Sequence, residues 1–194
     1  MRRWLIRALV AVPFMTGAAF LGQSLWLTAK AEVAQVLLAR AWDRARAGEV
    51  TPRPWPWADS IPAARLGNER LGIDQIVLAD ASPRSLAFGP GVIQGGGLPG
   101  ADGHAALAGH RDSHFAWLRH LNAGDEIWAE TASGERRRYR VAVTAIADSR
   151  SQALDLSPGG DARLTLVTCY PFDAVTPGGP LRYVVEALAE APED

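Results

Sequence analysis

Ala162–Tyr170, ARLTLVTCY, is the stretch whose reading decides the fold. Alternation puts Leu164, Leu166 and Thr168 on one face and Thr165, Val167 and Cys169 on the other, which is the period of a β-strand. Pro171 ends it, because proline cannot donate to a sheet ladder. Cys169 therefore stands at a strand's end, where a side chain can reach a cleft. It is the only cysteine in 194 residues, so a disulfide within the chain is excluded. A lone thiol is either a small buried hydrophobe or a chemical tool.

Working outward, the same rhythm recurs. GDEIWAE (124–130), the turn TASG (131–134) and ERRRYRVAVTAIA (135–147) read as a hairpin with Tyr139, Val141 and Val143 on one face. IVLAD (76–80), HAALAG (104–109) and LRYVVEAL (181–188) are further strands. Only DSHFAWLRHL (112–121) departs, since Phe115, Leu118 and Leu121 follow helical spacing. GPGVIQGGGLPG (89–100) reads as a flexible loop or a turn; it lacks the lysine and hydroxyl residue of a phosphate loop. Several short strands with one or two small helices predict a mainly β fold, a closed barrel or a sandwich.

The N-terminus has another character. Arg2, Arg3 and Arg7 precede an apolar run ending near Ala29. A helix from Trp4 to Trp26 would be roughly 33 Å long, enough for a bilayer core of about 30 Å with a tryptophan at each interface. Positive charge ahead of the run predicts a cytoplasmic N-terminus and a soluble domain on the periplasmic side of the inner membrane. The competing reading is a cleaved signal peptide with Ala29-Lys30-Ala31 as its small-x-small site; the length of the run favours a retained anchor. The expected organisation is a cytoplasmic tip and anchor over 1–30, a juxtamembrane helix and Pro-rich linker over 31–58, and a catalytic barrel over 59–190. Pro52, Pro54 and Pro56 break the helix before the barrel. A net charge of −1 and an apolar fraction of 48 % argue against a nucleic-acid partner and against a disordered chain.

A cysteine nucleophile needs a base or a cation beside it, because only the thiolate attacks. His110 ends the HAALAG strand after Gly109 and projects from a strand end as Cys169 does. His114 and His120 fall on the surface helix, and His104 has no special context. HRDSH spaces His110 and His114 as zinc proteases do, but Arg111 replaces the general-base glutamate, so no metal is expected. Arg182 opens the strand after the cysteine. If the two strands are antiparallel neighbours, it lies near the level of Cys169, where an oxyanion needs positive charge.

These residues carry a resemblance. TLVTC (165–169) resembles the TLxTC signature of sortases, the membrane-anchored cysteine transpeptidases, and LAGHR (107–111) resembles their histidine motif. Arg182 follows on the expected strand. LAFGPG, GHRDSHF and TLVTCYPF look most like sortases of Gram-negative bacteria, close to class D. The resemblance implies an eight-stranded barrel, with Cys169 as nucleophile, His110 as general acid/base, Arg182 steadying substrate or oxyanion, and Thr168 assisting the oxyanion. It also implies a sorting-signal-bearing protein substrate, LPxTG-like, an amine acceptor and a lipid bilayer as partners, and no cofactor. The 149–161 loop has scattered acids and no calcium-type cluster. Two alternatives stand beside it: an L,D-transpeptidase-like enzyme, whose SxGCxR-like stretch is missing here, and a tethered β-barrel that binds without chemistry.

Overall fold

The computed structural model describes residues 33–153, 162–176 and 178–190. The expected membrane anchor lies outside them; among the described residues no helix is long and apolar enough to cross a membrane. The chain divides into two units at Leu38, and of the first only residues 33–37 are described. In the first, residues 33–37 are helical, the start of helix α1 (33–46). From Leu38 onward that helix belongs to the second unit, where Leu38 and Trp42 pack with Ile76 and Leu78.

The second unit is a closed barrel of eight strands in the order β1-β2-β3-β4-β7-β8-β6-β5. The strands are β1 (Pro62–Asn68), β2 (Ile73–Leu78), β3 (Gly91–Val92), β4 (His104–Ala108), β5 (Glu126–Thr131), β6 (Arg136–Asp148), β7 (Arg163–Cys169) and β8 (Leu181–Ala189). Closure comes from antiparallel pairing of β1 with β5, and it leaves the sheet without a free edge. Barrel, and not sandwich, is the outcome.

Alternation explains the core. Leu164 and Leu166 of β7 join Leu66, Leu107, Ile127, Tyr139 and Val185 in one cluster, all fully buried. At about 25 cal/mol per Å² of apolar surface removed from water, each such side chain stabilises by about 1.5–3 kcal/mol. The β5–β6 hairpin forms as read, with one departure. A register shift between Val141 and Val143 against β8 turns Val143 outward, so Tyr139 and Val141 are buried while Val143 is 46 % exposed.

Two short segments also differ from the sequence reading. Residues 116–120 form a 3-10 turn, not an α-helix, with Trp117 and Leu118 buried. Spacing of three apolar residues fits a three-residue period as well as 3.6. The glycine-rich 89–100 stretch contains β3, whose two residues pair with β2 and β4.

Candidate active site

Strand register assembles the site. β4 runs parallel to β7, with His104 opposite Arg163 and Ala108 opposite Val167. The Gly109 N–H donates to the Val167 carbonyl at 3.2 Å and extends that ladder by one step. Two residues beyond Ala108, the same register sets His110 at the level of Cys169. On the other side β8 runs antiparallel to β7, and Cys169 is the direct partner of Arg182. Directly opposed residues project from the same face of a sheet. Thiol and guanidinium thus come from two paired strands, and the imidazole from two residues past the end of the third, at one end of the barrel.

Each group has its own support. His110 is exposed at the end of β4, and its carbonyl accepts from the Phe115 N–H at 2.9 Å, closing the turn that follows. Gly109 is required there: a Cβ on it would sit 2.7 Å from the buried Phe115 ring. Cys169 is half-buried. Arg182 Nη1 donates to the Gly179 carbonyl at 2.8 Å and to its neighbour Leu181 at 2.9 Å.

Thr168, which the resemblance assigns to the oxyanion, lies beside Gly109. Its side chain is buried, and its hydroxyl donates to the Gly109 carbonyl at 2.7 Å. A hydroxyl has one proton to give. Here that proton goes to the residue before His110 and ties the two strand ends together.

The other histidines separate clearly. His104 is buried and shares a 2.8 Å hydrogen bond with Thr165, a structural pairing of β4 with β7. His120 is exposed. His114, read as a solvated helix residue, is half-buried. Burial pushes its imidazole below the ordinary value and the neighbouring His110 adds to that effect, against a hydrogen bond with the Ala87 backbone.

An aromatic group continues from Cys169. Phe172 packs on Tyr183 with ring centroids 5.1 Å apart, and Tyr170 lies within 6.4 Å of Tyr183. The Arg119 guanidinium stands 4.7 Å over the Phe172 ring. Sequence reasoning singled out none of these. Among the described residues there is no group of three or more histidine, cysteine or acidic side chains placed to hold a metal ion.

Comparison with known proteins meets this geometry. The family model described as Sortase domain matches residues 66–190. The chain is 31 % identical over 100 residues to Sortase D of Bacillus subtilis (strain 168), a match covering 52 % of this chain and 50 % of that protein. It thus spans about half the length of that curated relative. Among solved structures, a Sortase D5 transpeptidase of Clostridium perfringens superposes with a TM-score of 0.56 at 22 % identity, over 68 % of this chain and 80 % of that one. Sortase A from Corynebacterium diphtheriae gives 0.61 at 23 %, over 71 % and 64 %. At such identities these two likenesses concern the fold.

Proposed function

The chain belongs to the sortase family of cysteine transpeptidases, and from that premise we propose that it cleaves a C-terminal sorting signal and joins the freed carbonyl to an amine. The Cys169 thiolate attacks a backbone carbonyl of the signal. Arg182 supports the oxyanion, because its Nε and Nη2 offer a planar pair of donors beyond the Nη1 bonds to the loop. As the C–N bond breaks, the leaving amine takes a proton from His110 and a thioester remains on Cys169. The acceptor amine then gives a proton to His110, attacks the thioester and releases the thiolate. Proton and electron pair return to their starting places.

The observation that supports this reading is the pairing of Cys169 with Arg182, with His110 following the end of the strand that pairs with β7 on its other side. The signal itself is proposed as LPxTG-like on family grounds. We assign the protein to the inner membrane on the same footing, held by residues 1–30 with the barrel in the periplasm, because Arg2, Arg3 and Arg7 precede the apolar run. A C-terminal reporter active only outside the cytoplasm should give signal, and its silence would reverse the orientation.

Incubating the protein with a sorting-signal peptide and an amine tests the chemistry. An amide product should form, and Cys169→Ala and His110→Ala should each lower the rate by at least about a thousandfold. Cleavage that survives Cys169→Ala would defeat the role given to the thiol, and binding of the peptide with no cleavage by the wild type would leave a tethered binding module.

A further inference from the structure

Arg111 follows His110 directly and is almost fully buried, at 8 % exposed. A buried guanidinium is costly unless its donors are met. Among the described residues no carboxylate meets it. Its Nη2 donates to the Ala174 carbonyl at 2.9 Å and to the Thr176 carbonyl at 3.0 Å, while Nη1 is buried without a partner among the described residues.

Those carbonyls belong to the β7–β8 connection, which follows Cys169, the last residue of β7, and leads into β8, whose second residue is Arg182. The connection is pinned at its ends, by the Tyr170 N–H to the Leu181 carbonyl at 3.0 Å and by Ser149 to the Pro180 carbonyl. Within 171–176 the backbone bond among the described residues is the long one from the Ala174 N–H to the Pro171 carbonyl at 3.4 Å. The two bonded carbonyls flank Val175, whose side chain is fully exposed. Arg119, further along the same 110–120 segment, reaches the Phe172 carbonyl at 3.5 Å and covers the Phe172 ring. The histidine segment therefore grips the connection between the other two catalytic groups, and Arg111 makes the shorter bonds.

We infer that Arg111 is a positioning residue: it locks the β7–β8 connection to the His110 turn and so holds thiol, imidazole and guanidinium in one reactive arrangement. This rests on the reading of Cys169 as nucleophile. The physical reason is geometric. A displacement of about 1 Å at reacting groups can cost on the order of a hundredfold in rate. Arg111 is covalently next to one reacting group and hydrogen-bonded to the segment that joins the other two. Its removal should spare substrate binding and slow the chemistry.

The test uses the full chain with a sorting peptide and an amine, comparing wild type, Arg111→Met and Arg111→Lys. In Arg111→Met, kcat should fall about ten- to a hundredfold while KM stays within about threefold. Amide hydrogen exchange should speed up in 172–176 and stay unchanged in β4, β7 and β8. Arg111→Lys, which keeps a cation able to reach one carbonyl, should recover part of kcat and part of the protection. An unchanged kcat, a loss confined to KM, or a slowed enzyme whose 172–176 exchange is unaltered would each overturn the inference. Should Arg111→Met fail to fold, Arg111→Lys decides alone by its kcat and its exchange in 172–176. Failure of both to fold makes Arg111 a core residue and overturns it too. Wild-type protein without Cys169-dependent turnover defeats the transpeptidase reading itself; wild-type turnover indifferent to Arg111 defeats only this inference.

Discussion

The Thr168 hydroxyl donates to the Gly109 carbonyl at 2.7 Å, tying the residue before Cys169 to the residue before His110. Thr168→Val keeps the shape and removes the donor, leaving a buried carbonyl unmet. The expected cost is about 1–3 kcal/mol of stability, read from denaturant midpoints. Activity should fall with it, because Gly109 sets the position of His110. If Thr168→Val loses activity at unchanged stability, the threonine works on the oxyanion and not as a brace.

Gly109 itself should tolerate no side chain. Gly109→Ala places a methyl 2.7 Å from the Phe115 ring. Either the ring or the strand end must move, at about 1–3 kcal/mol. Thermal unfolding should show the loss, and turnover should drop because His110 is the next residue. Wild-type melting and wild-type rate in that variant would mean that the close approach is without consequence.

How much of this was legible beforehand follows from where the signals reside. β7 could be read because the alternation of Leu164 and Leu166 with Thr165 marks the core-facing side and Pro171 ends the run, although the structure buries both faces from Leu164 to Thr168. Its pairing with β8 could be anticipated only conditionally, since register is a property of two strands. Val143 was misplaced because the shift between Val141 and Val143 changes the facing of residues without any residue type announcing it. β3 escaped notice because two residues carry no period, and its neighbours supply its ladder. His114 was read as solvated because the Ala87 backbone beside it lies far off in sequence. The Arg111 tie was illegible for the same reason: its partners are main-chain carbonyls about sixty positions away.

Arg182 offers a sharper chemical test. Arg182→Lys keeps the charge and loses the planar pair of donors. Turnover should fall by about a hundredfold or more if this group supports the oxyanion, with peptide affinity less affected. Near-normal kcat in Arg182→Lys would make the arginine a strand-end residue with no part in the reaction.

The acid side of the stability profile should carry the mark of His114. Its imidazole is held below the ordinary 6.5 in the folded protein, so below that pH the unfolded chain binds more protons. Stability should therefore be full above 6.5 and decline as pH falls through it toward the folded value. His114→Gln should flatten that part of the profile, measured as denaturant midpoint from pH 8 to 5. Asp80 acts in a separate window. Burial raises its carboxyl, but hydrogen bonds from Ser60, Ser82 and Ser85 outweigh that and lower it from 3.8 to about 2. Its contribution should be lost only as pH falls from 3.8 towards about 2. An unaltered slope between pH 7 and 5 in His114→Gln would exclude His114 as the source.

Direct observation of the acyl-enzyme tests the central claim. The protein is quenched in acid during reaction with a sorting-signal peptide, digested with trypsin, and read by mass spectrometry. The fragment Leu164–Arg182 holds the only cysteine of the chain. It should carry the mass of the peptide's N-terminal portion, joined as a thioester to Cys169, and the adduct should vanish on addition of an amine. A fragment that stays unmodified while peptide is cleaved, or an adduct that persists in Cys169→Ala, would contradict the account.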